Sequence, residues 1–159
     1  FMIMFLIFAS ITPFIINRIG SIKPTIIGGI ISLIGALGLL MFHSSEFAVS
    51  ANLAVIASGL SLTATATWNM VVSSSPKDFT GISVGVGALL LFIGMAIGPA
   101  LAGVYMGNQE MIEGVEGSYP SPGSYNLVFL TAGSLSAVSV GFALMLIRSR
   151  AAHKAIEAK

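Results

Sequence analysis

Long apolar stretches separated by short polar breaks restrict what this chain can fold into. The stretches cover residues 1–16, 24–42, 47–72, 79–106 and 125–147. A helix needs about 20 apolar residues to cross roughly 30 Å of hydrocarbon, and a segment in lipid must satisfy its backbone hydrogen bonds internally. The apolar residues run continuously rather than alternating with a period of two, which favours helices over a β-barrel. The sequence therefore predicts an all-α transmembrane bundle with five spans.

The composition supports a membrane environment and excludes several classes of protein. Only 8% of the 159 residues are charged, whereas a soluble domain carries about 25%. Nucleic acid is excluded as a partner because seven Lys and Arg residues are too few for a clustered basic surface. The absence of Cys excludes a disulfide framework and a cysteine nucleophile. Because Phe1 is not an initiator methionine, we expect the chain to be a fragment.

The basic residues all fall on one side of the predicted membrane topology. They are Arg18, Lys23, Lys77, Arg148, Arg150, Lys154 and Lys159. The opposite side carries Glu46, Glu110, Glu113 and Glu116, with no Lys or Arg. By the positive-inside rule, the basic side is cytoplasmic. We therefore expect a multi-pass protein of the plasma membrane, with transmembrane domain 1–147, an extracellular loop at 107–124 and a cytoplasmic tail at 148–159.

The polar break after the first span resembles a known signature loop. Residues 13–23 read PFIINRIGSIK, which is similar to the loop G-x-x-x-D-R-x-G-x-x, followed by basic residues, of the major facilitator superfamily of secondary transporters. Arg18, Gly20 and Lys23 fit the pattern, while Asn17 replaces its acidic residue and Pro13 replaces its first Gly. The resemblance implies that this loop braces the cytoplasmic ends of neighbouring helices and biases the inward-facing and outward-facing states. The alternative for the two cations is simple anchoring at the cytoplasmic face.

The fourth span carries a second motif. Residues 94–103 read GMAIGPALAG, similar to the element G-x-x-x-G-P-x-x-G-G of drug and solute antiporters in the same family. Small residues allow helix backbones to approach closely, so we expect this span to lie between neighbouring helices. Pro99 lacks an amide hydrogen and predicts a kink. Gly94, Gly98 and Pro99 are a candidate hinge for alternating access, with ordinary helix packing and a fixed kink as the alternatives.

The resemblance covers nearly the whole chain and allows two placements. The five spans correspond either to helices 8–12 or to helices 2–6 of a twelve-helix carrier, and in a fourteen-helix relative they would be the last five. We favour helices 8–12, because residues 47–72 lack the Arg that the N-terminal half usually carries. The implied partners are the lipid bilayer, the missing N-terminal half of the transporter and a small-molecule substrate.

The third span is the most polar and carries the candidate substrate cavity. At about 100° per residue, one stripe of this helix contains Ser58, Ser61, Thr65 and Asn69, with Trp68 adjoining. Uncharged polar groups inside a membrane either hydrogen-bond a neighbouring helix or line a wet cavity. By resemblance this span lines the cavity, so we interpret these five residues as a substrate surface, with helix packing as the alternative.

No Asp, Glu, Lys or Arg lies inside a predicted span. A carrier coupled to protons needs such a group within the membrane, so proton coupling would require a carboxylate in the missing part. We find no catalytic constellation, metal-ligand cluster or phosphate-binding loop, and we expect no cofactor and no enzymatic activity. The favoured function is transport of a small solute or drug by alternating access. The alternatives are a non-transporting membrane scaffold and an intramembrane enzyme completed by the missing segment.

Overall fold

The protein, in a computed structural model, is a bundle of five long helices. The structure describes residues 1–42, 45–107, 111–114, 117–120 and 122–157. The helices are α1 (Met2–Ile19), α2 (Ile22–Met41), α3 (Glu46–Ser74), α4 (Thr80–Gly107) and α5 (Pro122–Glu157), with a single 3-10 turn at Lys77–Phe79 before α4. All five helices contain a stretch long and apolar enough to cross a membrane. The predicted helical bundle with five candidate spans is therefore confirmed.

The segment predicted as an extracellular loop contains a short β-hairpin. Strand β1 (Met111–Gly114) pairs antiparallel with β2 (Gly117–Pro120). Residues 108–110, 115–116 and 121, which include Glu110 and Glu116, lie outside the described part of the chain. Strands of four residues carry too little alternation to be recognised from sequence. The hairpin lies in the connection between α4 and α5 and leaves the all-helical class unchanged.

The last helix continues past the end of its apolar stretch. The candidate membrane span within α5 is Gly123–Met145, close to the predicted span 125–147, and the helix itself ends at Glu157. Ala, Arg, Lys and Glu make up most of residues 148–157 and have good helix propensity, which favours continuation of the helix past the apolar region. Residues 158–159, including Lys159, lie outside the described part.

The ends of α1 and α3 have clear local causes. Gly20 adopts φ 77°, a region that favours glycine, and its N–H donates to the Ile16 carbonyl at 2.8 Å. The glycine of the signature loop is thus required by the backbone at the end of α1. At the start of α3, the Ser45 hydroxyl accepts from the Ala48 N–H at 3.2 Å, and Glu46 in the first turn complements the helix dipole.

The closest helix contact in the described structure joins α2 and α3 through glycines. A Cβ atom at Gly28 would lie 2.6 Å from the Gly59 carbonyl oxygen, and one at Gly59 would lie 2.5 Å from the Ser32 nitrogen. A Cβ atom at Gly35 would lie 3.0 Å from the Ile56 nitrogen. The two backbones therefore touch, as small residues allow in membrane helices. We call this contact the α2–α3 interface.

Two further helices lie against this pair. On α3, the Ser61 hydroxyl donates to the Phe5 carbonyl of α1 at 2.8 Å. On α2, a Cβ atom at Gly29 would lie 2.8 Å from Val140 of α5, and one at Gly133 of α5 would lie 3.9 Å from Ala36 of α2. These two pairs show that α5 runs antiparallel to α2.

Helix α4 contrasts with the others, because none of its residues is buried by the described part of the chain. A Cβ atom at Gly94, Gly98 or Gly103 would meet no atom within 4 Å. The sequence predicts that this span lies between neighbouring helices, and the described residues do not enclose it. The closest contacts between helix backbones through small residues are instead those of the α2–α3 interface.

The segments that carry basic residues share one end of the bundle. A hydrogen bond between Ser21 and Asn69 places the α1–α2 connection beside the end of α3, and therefore beside Lys77. The contact of Gly29 with Val140 places the C-terminal half of α5 beside the start of α2. The part of α5 that follows Val140, which includes Arg148, therefore lies at the same end of the bundle as the α1–α2 connection and Lys77. We call it the basic end.

Candidate functional site

A cleft between α1 and α3 contains most of the polar groups predicted for a substrate cavity. Its volume is about 300 Å³, and it lies towards the basic end. The lining residues are Pro13, Ile16 and Asn17 of α1 with Thr65, Trp68, Asn69 and Val72 of α3. We call it the α1–α3 cleft.

The polar lining of the α1–α3 cleft is uncharged. Thr65 offers a hydroxyl, Asn69 and Asn17 offer amides, and Trp68 offers an indole N–H and an aromatic face. Such groups can hydrogen-bond a neutral solute and stack on its apolar parts. Sequence reasoning missed Asn17 as a cleft residue, although its place next to Arg18 in the signature loop was a usable signal.

Two of the predicted cavity residues lie elsewhere. Ser61 is fully buried, and its hydroxyl bonds the Phe5 carbonyl of α1. Ser58 is 8% exposed, and its hydroxyl donates to Val55 of its own helix at 2.7 Å. Both residues take the packing role that was the alternative interpretation. The stripe is therefore divided, because Ser61 is bonded to α1 and Ser58 within α3, whereas Thr65, Trp68 and Asn69 line the cleft.

Trp68 connects the cleft to the motif-bearing helix α4. A Cβ atom at Gly87 of α4 would lie 3.2 Å from Cζ3 and 3.4 Å from Cη2 of the indole. The ring therefore lies against a glycine, and a larger residue at this position would require the indole to shift by a few tenths of an ångström. This contact joins a residue of the predicted cavity to the helix of the predicted hinge.

The signature loop lies directly beside α3. Gly20 and Lys23 line a cavity of about 420 Å³ together with Ser73 and Ser74. The Ser21 hydroxyl donates to Oδ1 of Asn69 at 2.7 Å, so the loop is tied to a residue of the α1–α3 cleft. Sequence reasoning missed Ser21, because hydroxyl residues are common in such loops and nothing in the pattern identified its partner.

The other predicted gating residues are exposed. Arg18 lines a shallow depression of about 390 Å³ on α1 together with Phe14 and Asn17. Gly94, Gly98 and Pro99 are exposed positions away from the ends of α4, and the helix continues through Pro99 without interruption. The three α4 residues do not line the α1–α3 cleft. The kink at Pro99 stays a prediction.

The chain matches no protein-family model, no curated protein and no solved structure. The likeness to the major facilitator superfamily therefore depends on the two motifs and on the order of the spans.

Proposed function

We propose that the chain is part of a secondary transporter of the major facilitator superfamily, corresponding to helices 8–12. The observation that carries the proposal is the α1–α3 cleft, an open space towards the basic end that is lined by uncharged polar groups of two apolar helices. Polar side chains within a span are unfavourable in lipid, whereas a path for a polar solute requires them, and Thr65, Trp68 and Asn69 all lie within the predicted third span. The antiporter-like motif of α4 supports the same assignment.

In this proposal the cleft contributes one wall of the substrate path. Thr65, Asn69 and Asn17 hydrogen-bond the solute, and the indole of Trp68 covers an apolar or aromatic part of it. A volume of about 300 Å³ is at the lower limit of small-molecule pockets, which span roughly 300–1,000 Å³. The remaining wall comes from the missing N-terminal half, since carriers of this kind bind solute between two repeats.

Alternating access requires contacts that differ between two states. The signature loop, with Arg18, Gly20 and Lys23, contributes one such contact through the bond from Ser21 to Asn69. Helix α4 contributes another element, because it touches α3 through Trp68 and Gly87 and has no buried residue in the described structure. Gly94, Gly98 and Pro99 let this helix bend as the solute path opens. The basic end faces the cytoplasm of a plasma-membrane protein, as the positive-inside rule requires.

Cysteine accessibility in the intact protein tests the cleft. The chain has no Cys, so each introduced thiol in this segment is unique. We expect a water-soluble thiol reagent to label Thr65→Cys and Asn69→Cys. Ser61→Cys is the matched control on the same helix, because Ser61 is fully buried against α1. Protection of both cleft positions to the level of Ser61→Cys would contradict an aqueous path.

A membrane scaffold is the second candidate function. The open glycines of α4 favour it, since small exposed faces suit assembly with another helix. Uptake measurements on the intact protein in vesicles distinguish the two functions. A transporter gives saturable uptake that Trp68→Ala weakens, whereas a scaffold gives none. The chain alone is expected to show no uptake, because it lacks the other half of the path.

A further inference from the structure

A second polar space lies on the other side of α3. It is a crevice of about 220 Å³ lined by Gly29 and Ser32 of α2, Leu60 and Thr63 of α3, and Leu135, Ser136 and Ser139 of α5. Thr63 and Thr65 are two positions apart, which places them about 200° apart around the helix. The crevice is therefore separate from the α1–α3 cleft. We call it the hydroxyl crevice.

The hydroxyl crevice gathers four hydroxyl groups from three helices. The Thr63 hydroxyl donates a hydrogen bond to the Thr25 carbonyl at 3.3 Å, and its oxygen can still accept one. Ser136 and Ser139 lie one turn apart on α5, so both are available from the same side. The lining contains no charged side chain among the described residues.

Ser32 is the residue that points to a ligand. It is 4% exposed, and its hydroxyl has no hydrogen-bond partner among the described residues. Hydroxyls elsewhere in the bundle behave differently, since those of Ser10 and Ser134 donate to carbonyls of their own helices at 3.0 Å and 2.9 Å. A buried hydroxyl without a partner costs free energy, and more so in a bilayer that contains no water.

Ser32 lies where the crevice meets the α2–α3 interface. Its hydroxyl rests against Gly59, so the backbones on that side are too close to admit a further group. Rotation about the Cα–Cβ bond turns the hydroxyl from Gly59 towards the crevice, which Ser32 also lines. A ligand in the crevice would then supply the missing hydrogen bond.

We propose that the hydroxyl crevice binds a neutral ligand that both donates and accepts hydrogen bonds, either water or the hydroxyl groups of a small uncharged solute. Hydroxyl side chains donate and accept, and so match such a ligand. An ion would lie in the bundle without a compensating charge. A volume of about 220 Å³ is below the roughly 300–1,000 Å³ of pockets for drug-sized molecules. The inference does not depend on the proposed transport function.

Thiol labelling of the intact protein in lipid vesicles gives the first test. We compare Ser136→Cys, inside the crevice, with Ser134→Cys, which is two positions away on α5 and exposed on the bundle surface. The reactive thiolate forms only in contact with water, so Ser136→Cys is expected to react on the order of tenfold faster with a water-soluble reagent. Equal rates at the two positions would overturn the proposal.

Glycerol then distinguishes the two ligand sources. The reference is Lys77→Cys, an exposed position outside the predicted spans. If a solute hydroxyl occupies the crevice, glycerol slows labelling of Ser136→Cys more than it slows labelling of Lys77→Cys. If water occupies it, both positions slow equally. Either result supports a neutral hydrogen-bonding ligand and names which of the two it is.

The sign of a stability change gives an independent test. If a ligand satisfies Ser32, Ser32→Ala removes that bond and lowers the melting temperature of the intact protein. If the crevice is dry, the same change removes an unpaired hydroxyl and raises the melting temperature. Ser10→Ala is the control, because Ser10 is exposed and bonded within its own helix. A rise with Ser32→Ala would overturn the proposal even where Ser136→Cys is labelled.

Discussion

The hydroxyl of Ser21 donates a hydrogen bond of 2.7 Å to the amide oxygen of Asn69. Ser21 belongs to the connection between α1 and α2, and Asn69 lies 48 residues later on α3. Asn69 also lines the α1–α3 cleft. One bond therefore joins the segment that resembles a gating loop to the space that is the candidate substrate path.

Removing this bond should make the cleft more accessible while destabilising the fold only slightly. For Ser21→Ala we expect a loss of about 0.5–1.5 kcal/mol at most, the usual net value of one hydrogen bond. The measurement is the labelling rate of Thr65→Cys with and without Ser21→Ala, which should rise when the bond is lost. Ser73→Ala is the control, since Ser73 is exposed nearby and bonds only Met70 of its own helix. An unchanged rate would show that the bond does not restrict the cleft.

The α2–α3 interface should be intolerant of a single methyl group. We expect Gly28→Ala to destabilise the protein by about 1–3 kcal/mol, the typical cost of overpacking, because its Cβ would meet backbone atoms of Gly59 and Thr63. Gly85→Ala is the matched control in α4, where a Cβ meets nothing within 4 Å. That change should stabilise by about 0.5–1 kcal/mol through helix propensity. Thermal unfolding in detergent measures both, and equal effects would contradict the close contact.

The contact between Trp68 and Gly87 should be visible by fluorescence. The chain contains one Trp, so its emission reports this position directly. A Cβ at Gly87 would lie 3.2 Å from the indole, and Gly87→Ala should therefore shift the emission maximum by displacing the ring. Gly94→Ala, with open space around it, should leave the spectrum unchanged. Identical spectra for the two variants would place α4 away from Trp68.

The two buried serines of α3 should differ in their effect on stability. Ser61→Ala breaks a bond between helices, to Phe5 of α1, and should cost about 0.5–1.5 kcal/mol. Ser58→Ala breaks a bond within α3. The Val55 carbonyl still accepts the backbone hydrogen bond of the helix, so this change should lower the stability by less. Melting temperatures of the two variants give the comparison. A larger loss for Ser58→Ala would contradict the role of Ser61 in holding α1.

Under the proposed transport function, the candidate hinge has its own test in the intact protein. Pro99→Ala restores an amide hydrogen to α4 and removes the ring that crowds the preceding turn. We expect slower transport with unchanged membrane insertion, measured by uptake and by expression level. Unchanged uptake rates would remove the hinge role of this residue.

The sequence predicted the helices well because each apolar run had to satisfy its own backbone in lipid. It predicted the site less completely. Helical periodicity correctly placed Ser61 and Thr65 on one stripe, but the stripe does not show where a neighbouring helix covers it, and α1 covers Ser61 alone of the two. The sequence also did not predict that Gly28 of α2 packs against Gly59 of α3. Glycine spacing shows that a helix can approach another closely and does not show which one.

The direct backbone contact of α2 with α3 limits how the bundle can move. The carbonyl of Gly59 on α3 occupies the space that a side chain at Gly28 of α2 would need. Sliding either helix by one turn would bring a side chain into this space and cause a steric clash. The two helices are therefore expected to travel as one rigid body. Relative displacement is left to α4, which lacks any buried residue among those described and so has the fewest contacts to break.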